Sequence, residues 1–269
     1  MTKKIDLNCD MGESFGAYKL GMDEEIIKLI SSANIACGFH AGDPNVMDQT
    51  VAMAKEFNVG IGVHIGYPDL LGFGRRDIDI SRKDLMNYII YQIGALEAFC
   101  RRHHVEIQHV KAHGSMGNMS FVNRTIADAI VDAVYEVLPE TKIFVLPGTE
   151  IQKAAEEKGL SSVLEVFADR AYNRDLTLVS RKLPGSVIKD PQEAAENVLR
   201  MIIDGKAKTI DGEFIDIKAD SVCVHGDTQG ALDIVQYLRK RMEDEQIEIS
   251  PVGQWHVNGR VNIGENKYS

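Results

Sequence analysis

Hydrophobic and polar residues alternate along the first predicted strand, and its polar positions carry reactive side chains. The segment that begins at Ile5 places Asp6, Asn8 and Asp10 on one face, because successive side chains of a strand point to opposite faces. Five later strand-like segments end in similar polar or charged groups: 33–40, 60–64, 109–113, 165–169 and 223–227. Strand ends that collect such groups indicate a functional site.

Helical patterns separate these strands. Asp43 and Asp190 each precede a proline, which is typical of an N-cap followed by the first helical turn. Ser81 is expected to open a capping box for a helix that runs to about residue 102. Further helices are predicted over 23–30, 126–137, 150–158 and about 229–242. Thr149 is the predicted N-cap of the helix over 150–158. A small hairpin is predicted over 209–218.

Seven successive β-then-α units predict a parallel sheet that is either closed or doubly wound. Doubly wound sheets have strands that are apolar on both faces, whereas one face of these strands is polar or small. We therefore predict an α/β fold with a single β/α barrel domain over residues 1–250 and a site at the carboxyl ends of its strands. Ala36, Gly38, Gly60 and Gly62 are expected to leave room there for a small substrate. Residues 251–269, which include Trp255, His256 and Arg260, form a predicted C-terminal extension without an assigned role.

Composition narrows the classes of function. The net charge of −10 argues against non-specific binding to nucleic acid or to an anionic membrane. No apolar run reaches membrane-spanning length. The four cysteines lack Cys-x-x-Cys spacing, which favours buried, reduced thiols over a zinc-thiolate site. These features together predict a cytoplasmic enzyme.

Long motifs in the chain resemble those of the LamB/YcsF family. They occupy residues 6–16, 34–44, 66–69, 72–76, 167–172 and 224–228. The resemblance implies a seven-stranded β/α (TIM-like) barrel of the glycoside hydrolase/deacetylase type. It also implies ATP-dependent hydrolysis of 5-oxo-L-proline (pyroglutamate) to L-glutamate, in concert with partner subunits B and C. The chain departs from the family at Ala112 and Gly117, where proline and tyrosine are usual.

Opening a five-membered lactam requires activation, because the amide is stabilised by resonance. Phosphorylation of the amide oxygen would create an electrophile for water, and the site would then need a base, cationic donors and a clamp for the substrate carboxylate. The predicted bases are Asp10, Asp169 and Asp227. The predicted donors or acids are Lys111, His113 and His225. Arg75, Arg76 and Arg170 are predicted to hold the carboxylate, and further substrate-binding candidates are Asn8, Glu13, Tyr67 and Asn118.

The sequence contains no Gly-x-x-x-x-Gly-Lys-Ser/Thr motif for nucleotide phosphates. ATP, with Mg²⁺, is therefore expected as a cosubstrate that binds mainly to the partner subunits. A protein-bound divalent metal is an alternative, since Asp10, His40 and His64 end successive strands and form an adequate ligand set.

Three hypotheses follow from these residues. The first is the ATP-coupled lactamase subunit, and the second is a stand-alone metal-dependent amidohydrolase or carbohydrate deacetylase. The third is a non-catalytic subunit that presents substrate to its partners. Chelators and ATP dependence distinguish the second, and variants of Asp10 and His225 that keep full activity would favour the third.

Overall fold

The computed structural model describes residues 3–228 and 230–254, and its centre is a closed parallel barrel. In chain order the strands are β1 (Lys4–Met11), β2 (Ser32–Ala36), β3 (Gly60–Ile65), β4 (Ile107–Ala112), β5 (Lys142–Val145), β6 (Ser161–Phe167), β7 (Lys206–Lys208), β8 (Phe214–Asp216), β9 (Ser221–Val224) and β10 (Glu248–Ile249). Strands β1 to β6 pair in sequence, and β9 joins β6 to β1 and closes the ring. The predicted seven-stranded barrel is therefore confirmed, and a doubly wound sheet is excluded. The short strand β10, which was not predicted, pairs with the first two residues of β1, Lys4 and Ile5.

Eight helices surround the barrel in the described part of the chain. They are α1 (Asp23–Ile26), α2 (Pro44–Glu56), α3 (Arg82–His103), α4 (Gly114–Val122), α5 (Arg124–Val137), α6 (Glu150–Lys158), α7 (Pro191–Ile203) and α8 (Ala231–Asp244). Side chains of Asp43, Ser81 and Asp190 accept hydrogen bonds from first-turn amides, which confirms these three predicted caps. Thr149 instead donates its hydroxyl hydrogen to the Leu146 carbonyl. Helix α1 is shorter than predicted, and α4 was missed. The hairpin predicted over 209–218 is the antiparallel pair β7–β8, which begins earlier, at Lys206.

The two faces of β1 have opposite environments. Ile5, Leu7 and Cys9 are fully buried in the apolar layer between strands and helices, where burial of a large aliphatic side chain contributes about 1.5–3 kcal/mol. The alternate residues face the lumen, and three serine hydroxyls surround the first of them, Asp6. Ser31 and Ser32 donate to Oδ1 of Asp6 at 2.8 and 2.5 Å, and Ser221 donates to its other oxygen. Asp6 is thus a structural residue of the lower lumen.

The pKa of Asp6 makes a testable contribution to stability. Burial raises this pKa from 3.8 to about 6, against the lowering effect of the three serine donors. Because the folded state holds the proton more tightly, the free energy of unfolding falls as pH rises from about 4 to about 6. Asparagine does not titrate, so we expect the Asp6→Asn protein to lack this pH-dependent fall in the free energy of unfolding, which amounts to up to about 3 kcal/mol. The free energies of unfolding of the wild-type and Asp6→Asn proteins are measured by urea unfolding at pH 4.5 and pH 7. The prediction is contradicted if the difference in free energy between the two proteins is the same at both pH values.

The glycines of β3 do not leave space for substrate, contrary to the prediction. A Cβ atom at Gly60 would lie 2.1 Å from Nε2 of Gln108, and one at Gly62 would lie 1.9 Å from Nε2 of His109. Side chains of the neighbouring strand β4 therefore occupy this space. His109 also stacks on Phe144 with ring centroids 4.0 Å apart, so the lower lumen is filled.

The start of the predicted C-terminal extension packs on the barrel. Val252 is fully buried with Phe144 and Val163, and the amide of Gly253 donates to Oε1 of Gln108. Trp255, His256 and Arg260 lie outside the described residues, and the domain boundary at residue 250 stays a prediction. No helix in the described ranges is long and apolar enough to cross a membrane.

Candidate active site

Lys111 occupies the centre of the upper lumen, where β4 approaches its carboxyl end. Its Nζ lies 3.0 Å from Oδ1 of Asp10 and 2.9 Å from Oε1 of Glu165. The ammonium also donates to Sγ of Cys223 at 3.0 Å and lies 5.3 Å from the centre of the Phe167 ring. Burial would lower the pKa of Lys111, but Asp10 and Glu165 outweigh it and raise this pKa well above its ordinary value. The site therefore holds a buried ammonium group between two carboxylates.

Asp10 receives hydrogen bonds from two sides. Asn34 donates to its Oδ1 at 2.8 Å, and Nε2 of His64 lies 3.3 Å from its Oδ2. Burial raises the pKa of Asp10, but the charges of His64 and Lys111 hold it well below the ordinary value. Asp10 is thus an ionised carboxylate that balances Lys111. Asn8 supports the same cluster, since its amide nitrogen donates to Glu165 at 3.0 Å.

His225 and Asp169 form a second pair at the ends of β9 and β6. Nδ1 of His225 lies 2.8 Å from Oδ1 of Asp169, and the hydroxyl of Thr228 donates to Oδ2 of Asp169 at 2.6 Å. Burial raises the pKa of Asp169, but His225 and Thr228 outweigh it and lower this pKa. The Asp169 carboxylate accepts the hydrogen on Nδ1 of His225, which leaves Nε2 as the nitrogen that can act as a base. This is the geometry of an oriented general base.

Three histidines and a glutamate gather beside Asp10. Nε2 of His64 lies 3.0 Å from Nδ1 of His113, and Nε2 of His40 lies 3.7 Å from Oε1 of Glu13. The rings of His40 and His113 stack at 3.9 Å. Burial lowers the pKa of both these imidazoles well below its ordinary value, and burial with the nearby Asp10 charge raises the pKa of Glu13 well above its own.

The predicted metal set of Asp10, His40 and His64 is not the group that the structure assembles. Possible ligand atoms of His40 and His64 lie within 4.8 Å of those of Glu13 and His113, whereas Asp10 groups with Cys223 and His225. The physical reason is the loop that follows β1, which carries Glu13. Asp10 still points into the lumen, but Glu13 lies beyond the strand and reaches over towards the ends of β2 and β3.

A cavity of about 680 Å³ opens above these groups. Asp10, His64, Lys111, His113 and His225 line its floor, and Asn118 lines the side formed by α4. Its wall carries further cationic groups from the long loop after β6 and the loop after β3: Arg75, Arg170, Arg181 and Lys182. The cavity therefore suits a small anionic ligand.

The arginines differ in their freedom to bind a ligand. Arg170 is buried and donates to the carbonyl oxygens of Val179 and Ser186, and burial lowers its pKa to about 10. Arg170 thus stabilises the long loop after β6, which contains both of these carbonyl groups. Nη2 of Arg75 lies 2.6 Å from Oδ2 of Asp227 at the rim of the site. Both members of that pair were predicted site residues, and they meet each other across the mouth.

Four predicted substrate-binding residues are absent from the cavity lining: Asn8 and Glu13, which belong to the buried groups described above, and Tyr67 and Arg76. Tyr67 is fully buried in the core, with its hydroxyl 3.5 Å from Sδ of Met119. Arg76 points outward and pairs with Asp69 through Nε at 2.9 Å. Both follow glycine-containing loops, and the sequence does not reveal which way such a loop turns its side chains.

Sequence reasoning missed several residues of the site. Glu165 shares the strand face of Asp169, four residues earlier, so alternation already pointed to it. Thr228 belongs to the motif that carries His225 and Asp227. Arg181 and Lys182 come from a long loop without periodicity, and no sequence signal places them at the cavity.

Comparison with known proteins agrees with this geometry. Residues 5–257 match the LamB/YcsF family. A Clostridium beijerinckii protein, named as the A subunit of 5-oxoprolinase, is 51% identical over 249 residues, which cover 93% of this chain and 98% of that protein. The protein of the same name from Campylobacter jejuni subsp. doylei is 53% identical over 247 residues, which cover 91% and 96%.

A solved structure supports the same relationship. The crystal structure of a lactam utilization protein from Thermus thermophilus superposes with a TM-score of 0.87 at 42% identity. The superposition covers 92% of this chain and 99% of the other. Sequence and fold agree over almost the full length, and the chain belongs to the LamB/YcsF family.

Proposed function

We propose that this chain is a subunit of an ATP-dependent 5-oxoprolinase, which hydrolyses 5-oxo-L-proline to L-glutamate together with partner subunits B and C. The observation that carries the proposal is the pairing of a buried cation, Lys111, with an oriented base, His225, on the floor of one cationic cavity. The names of the relatives, which refer to 5-oxoprolinase and to lactam utilization, support the choice of a lactam.

The chemistry divides into activation and hydrolysis. Transfer of the γ-phosphoryl group of ATP to the lactam oxygen yields ADP and an imidate-like phosphate. Water then adds to the ring carbon, and the C–N bond breaks as the ring nitrogen takes a proton, which gives γ-glutamyl phosphate. A second water releases inorganic phosphate and glutamate. The cavity volume of about 680 Å³ exceeds what a five-membered lactam needs and leaves space for the phosphoryl group.

The residues of the cavity suit the hydrolytic half. His225 takes a proton from the attacking water, and Asp169 stabilises the imidazolium that forms. Lys111 supplies positive charge where the tetrahedral oxygen develops, and each such donor is worth about 3–4 kcal/mol of barrier. In this proposal Arg75, which pairs with Asp227 at the rim, binds the substrate carboxylate. ATP with Mg²⁺ binds mainly to subunits B and C in this proposal, because the chain lacks a phosphate-binding glycine loop.

Reconstitution with purified subunits tests the proposal. Glutamate and ADP formation from 5-oxoproline are measured for this chain alone, for the B–C pair, and for all three together. We expect both products only with all three subunits and ATP. Ring opening by this chain without ATP would support a stand-alone amidohydrolase instead, and turnover by the B–C pair without it would support a non-catalytic role.

A further inference from the structure

We propose that Glu13, His40, His64 and His113 form a binding site for a zinc-class divalent cation. One possible ligand atom from each residue lies within 4.8 Å of every other, and all four residues are buried. The residues follow or end β1, β2, β3 and β4, so they converge on one corner of the barrel mouth. The inference does not rest on the lactamase reaction, because it concerns binding alone.

Unpaired polar atoms carry the argument. Within the part of the chain that the structure describes, Oε1 of Glu13, both ring nitrogens of His40 and Nδ1 of His64 are buried without a hydrogen-bond partner. Folded proteins rarely bury such atoms unpaired, and here most of them fall in one cluster. A cation in the cluster would accept electron pairs from Oε1 of Glu13 and from Nε2 of His40, which lie 3.7 Å apart; the ligand atom of His64 would be Nε2, which faces His113.

Spacing agrees with a tetrahedral ion. Zinc bonds nitrogen and carboxylate oxygen at about 2.0–2.2 Å, which places ligand atoms about 3.4 Å apart. The His64–His113 nitrogens are 3.0 Å apart, and Oε1 of Glu13 lies 3.7 Å from Nε2 of His40 and 3.9 Å from Nδ1 of His113. These three distances bracket the tetrahedral edge, and binding of one ion by all four residues requires the stacked rings of His40 and His113 to turn apart.

The surroundings orient His113 as a ligand. Its Nε2 lies 2.8 Å from the carbonyl oxygen of Phe73, to which only a protonated nitrogen can donate. That bond fixes the tautomer and directs the lone pair of Nδ1 into the cluster. Metal-binding histidines commonly donate their second nitrogen in this way to a carbonyl or carboxylate oxygen.

The donor set selects the class of ion. Three imidazoles and one carboxylate are the ligands of zinc and of cobalt as its substitute, whereas calcium and magnesium prefer oxygen ligands throughout. The four ligands come from four consecutive strand ends. A bound ion would therefore clamp these ends together beside Asp10, at the edge of the cavity.

Metal titration of the full-length chain tests the inference. The protein is stripped with a chelator and titrated with Co²⁺, followed by the visible absorption of tetrahedral cobalt, and zinc content after Zn²⁺ loading is measured by mass spectrometry. We expect one ion per chain and a higher thermal midpoint with metal. Glu13→Gln, His40→Gln and His113→Gln should each weaken Co²⁺ binding by at least about a hundredfold, since even loss of outer partners costs about 10- to 100-fold.

His109→Gln is the matched control, because it also removes a buried imidazole but lies outside the cluster. Circular dichroism confirms that each variant is folded. The inference is overturned if the wild-type chain shows no tetrahedral cobalt spectrum. It is also overturned if the folded cluster variants bind Co²⁺ as tightly as the His109→Gln control. No readout uses turnover, so failure here leaves the proposed lactamase role in place.

Discussion

Replacing Lys111 by methionine is expected to lower 5-oxoproline turnover by the reconstituted subunits at least about a hundredfold. The change removes the ammonium that faces both Asp10 and Glu165, and with it the positive charge available to the developing oxyanion. Loss of one such donor raises the barrier by about 3 kcal/mol or more. Steady-state glutamate formation, with kcat and KM determined separately, measures the effect.

The same substitution should reduce stability, because it leaves two buried carboxylates without their shared cation. Breaking a buried ion pair on one side costs about 3–5 kcal/mol. Lys142→Met is the control, since Lys142 is also a buried lysine but is not among the described residues that line the cavity. Activity is compared only between folded variants. A folded Lys111→Met protein with activity like that of Lys142→Met would remove Lys111 from the proposed chemistry.

Replacing His225 by glutamine is expected to lower kcat by about 10²- to 10⁴-fold, the usual contribution of general base catalysis. Glutamine keeps a polar side chain but cannot accept the proton of water. Asp169→Asn should also lower kcat, because an amide no longer fixes the proton on Nδ1 of His225. Since the two residues act as a unit, the double variant should lose little more than the single His225 variant.

Kinetics of the four proteins, measured with ATP and both partner subunits, provide the comparison. His103→Gln serves as the control, because His103 pairs with Asp48 on the outer surface. Effects that add fully in the double variant would show that His225 and Asp169 act independently. An unchanged kcat for His225→Gln would assign the base to another residue, with Asp10 as the next candidate.

Local signals in the sequence predicted much of the fold. The pairs Asp43-Pro44 and Asp190-Pro191 mark helix starts through short-range hydrogen bonds, so their prediction needs no tertiary information. Helix α4 was missed because Gly114 and Gly117 lower helix propensity. Its position depends on tertiary contact instead, since a Cβ atom at Gly114 would lie 2.6 Å from the carbonyl oxygen of Gly74, in the loop after β3.

The site was predictable to the extent that strand alternation determines it. Asp10, Lys111 and His225 were placed on the lumen by phase alone, and the structure brings all three to the cavity floor. The positions of residues beyond a strand end were harder to predict, because the direction of a loop depends on tertiary packing. Glu13 and His113 were predicted as substrate-binding and catalytic residues, yet the structure groups them with His40 and His64.

The polar face of β1 also has a consequence for how the barrel closes during folding. A slip of one residue against β9 would turn Leu7 and Cys9 into the lumen and push Asp6, Asn8 and Asp10 among the helices. The layer between strands and helices is apolar, so a misaligned closure would bury these polar groups without partners. The ladder of carboxylates and amides thus excludes alignments shifted by one residue when the seventh strand completes the ring.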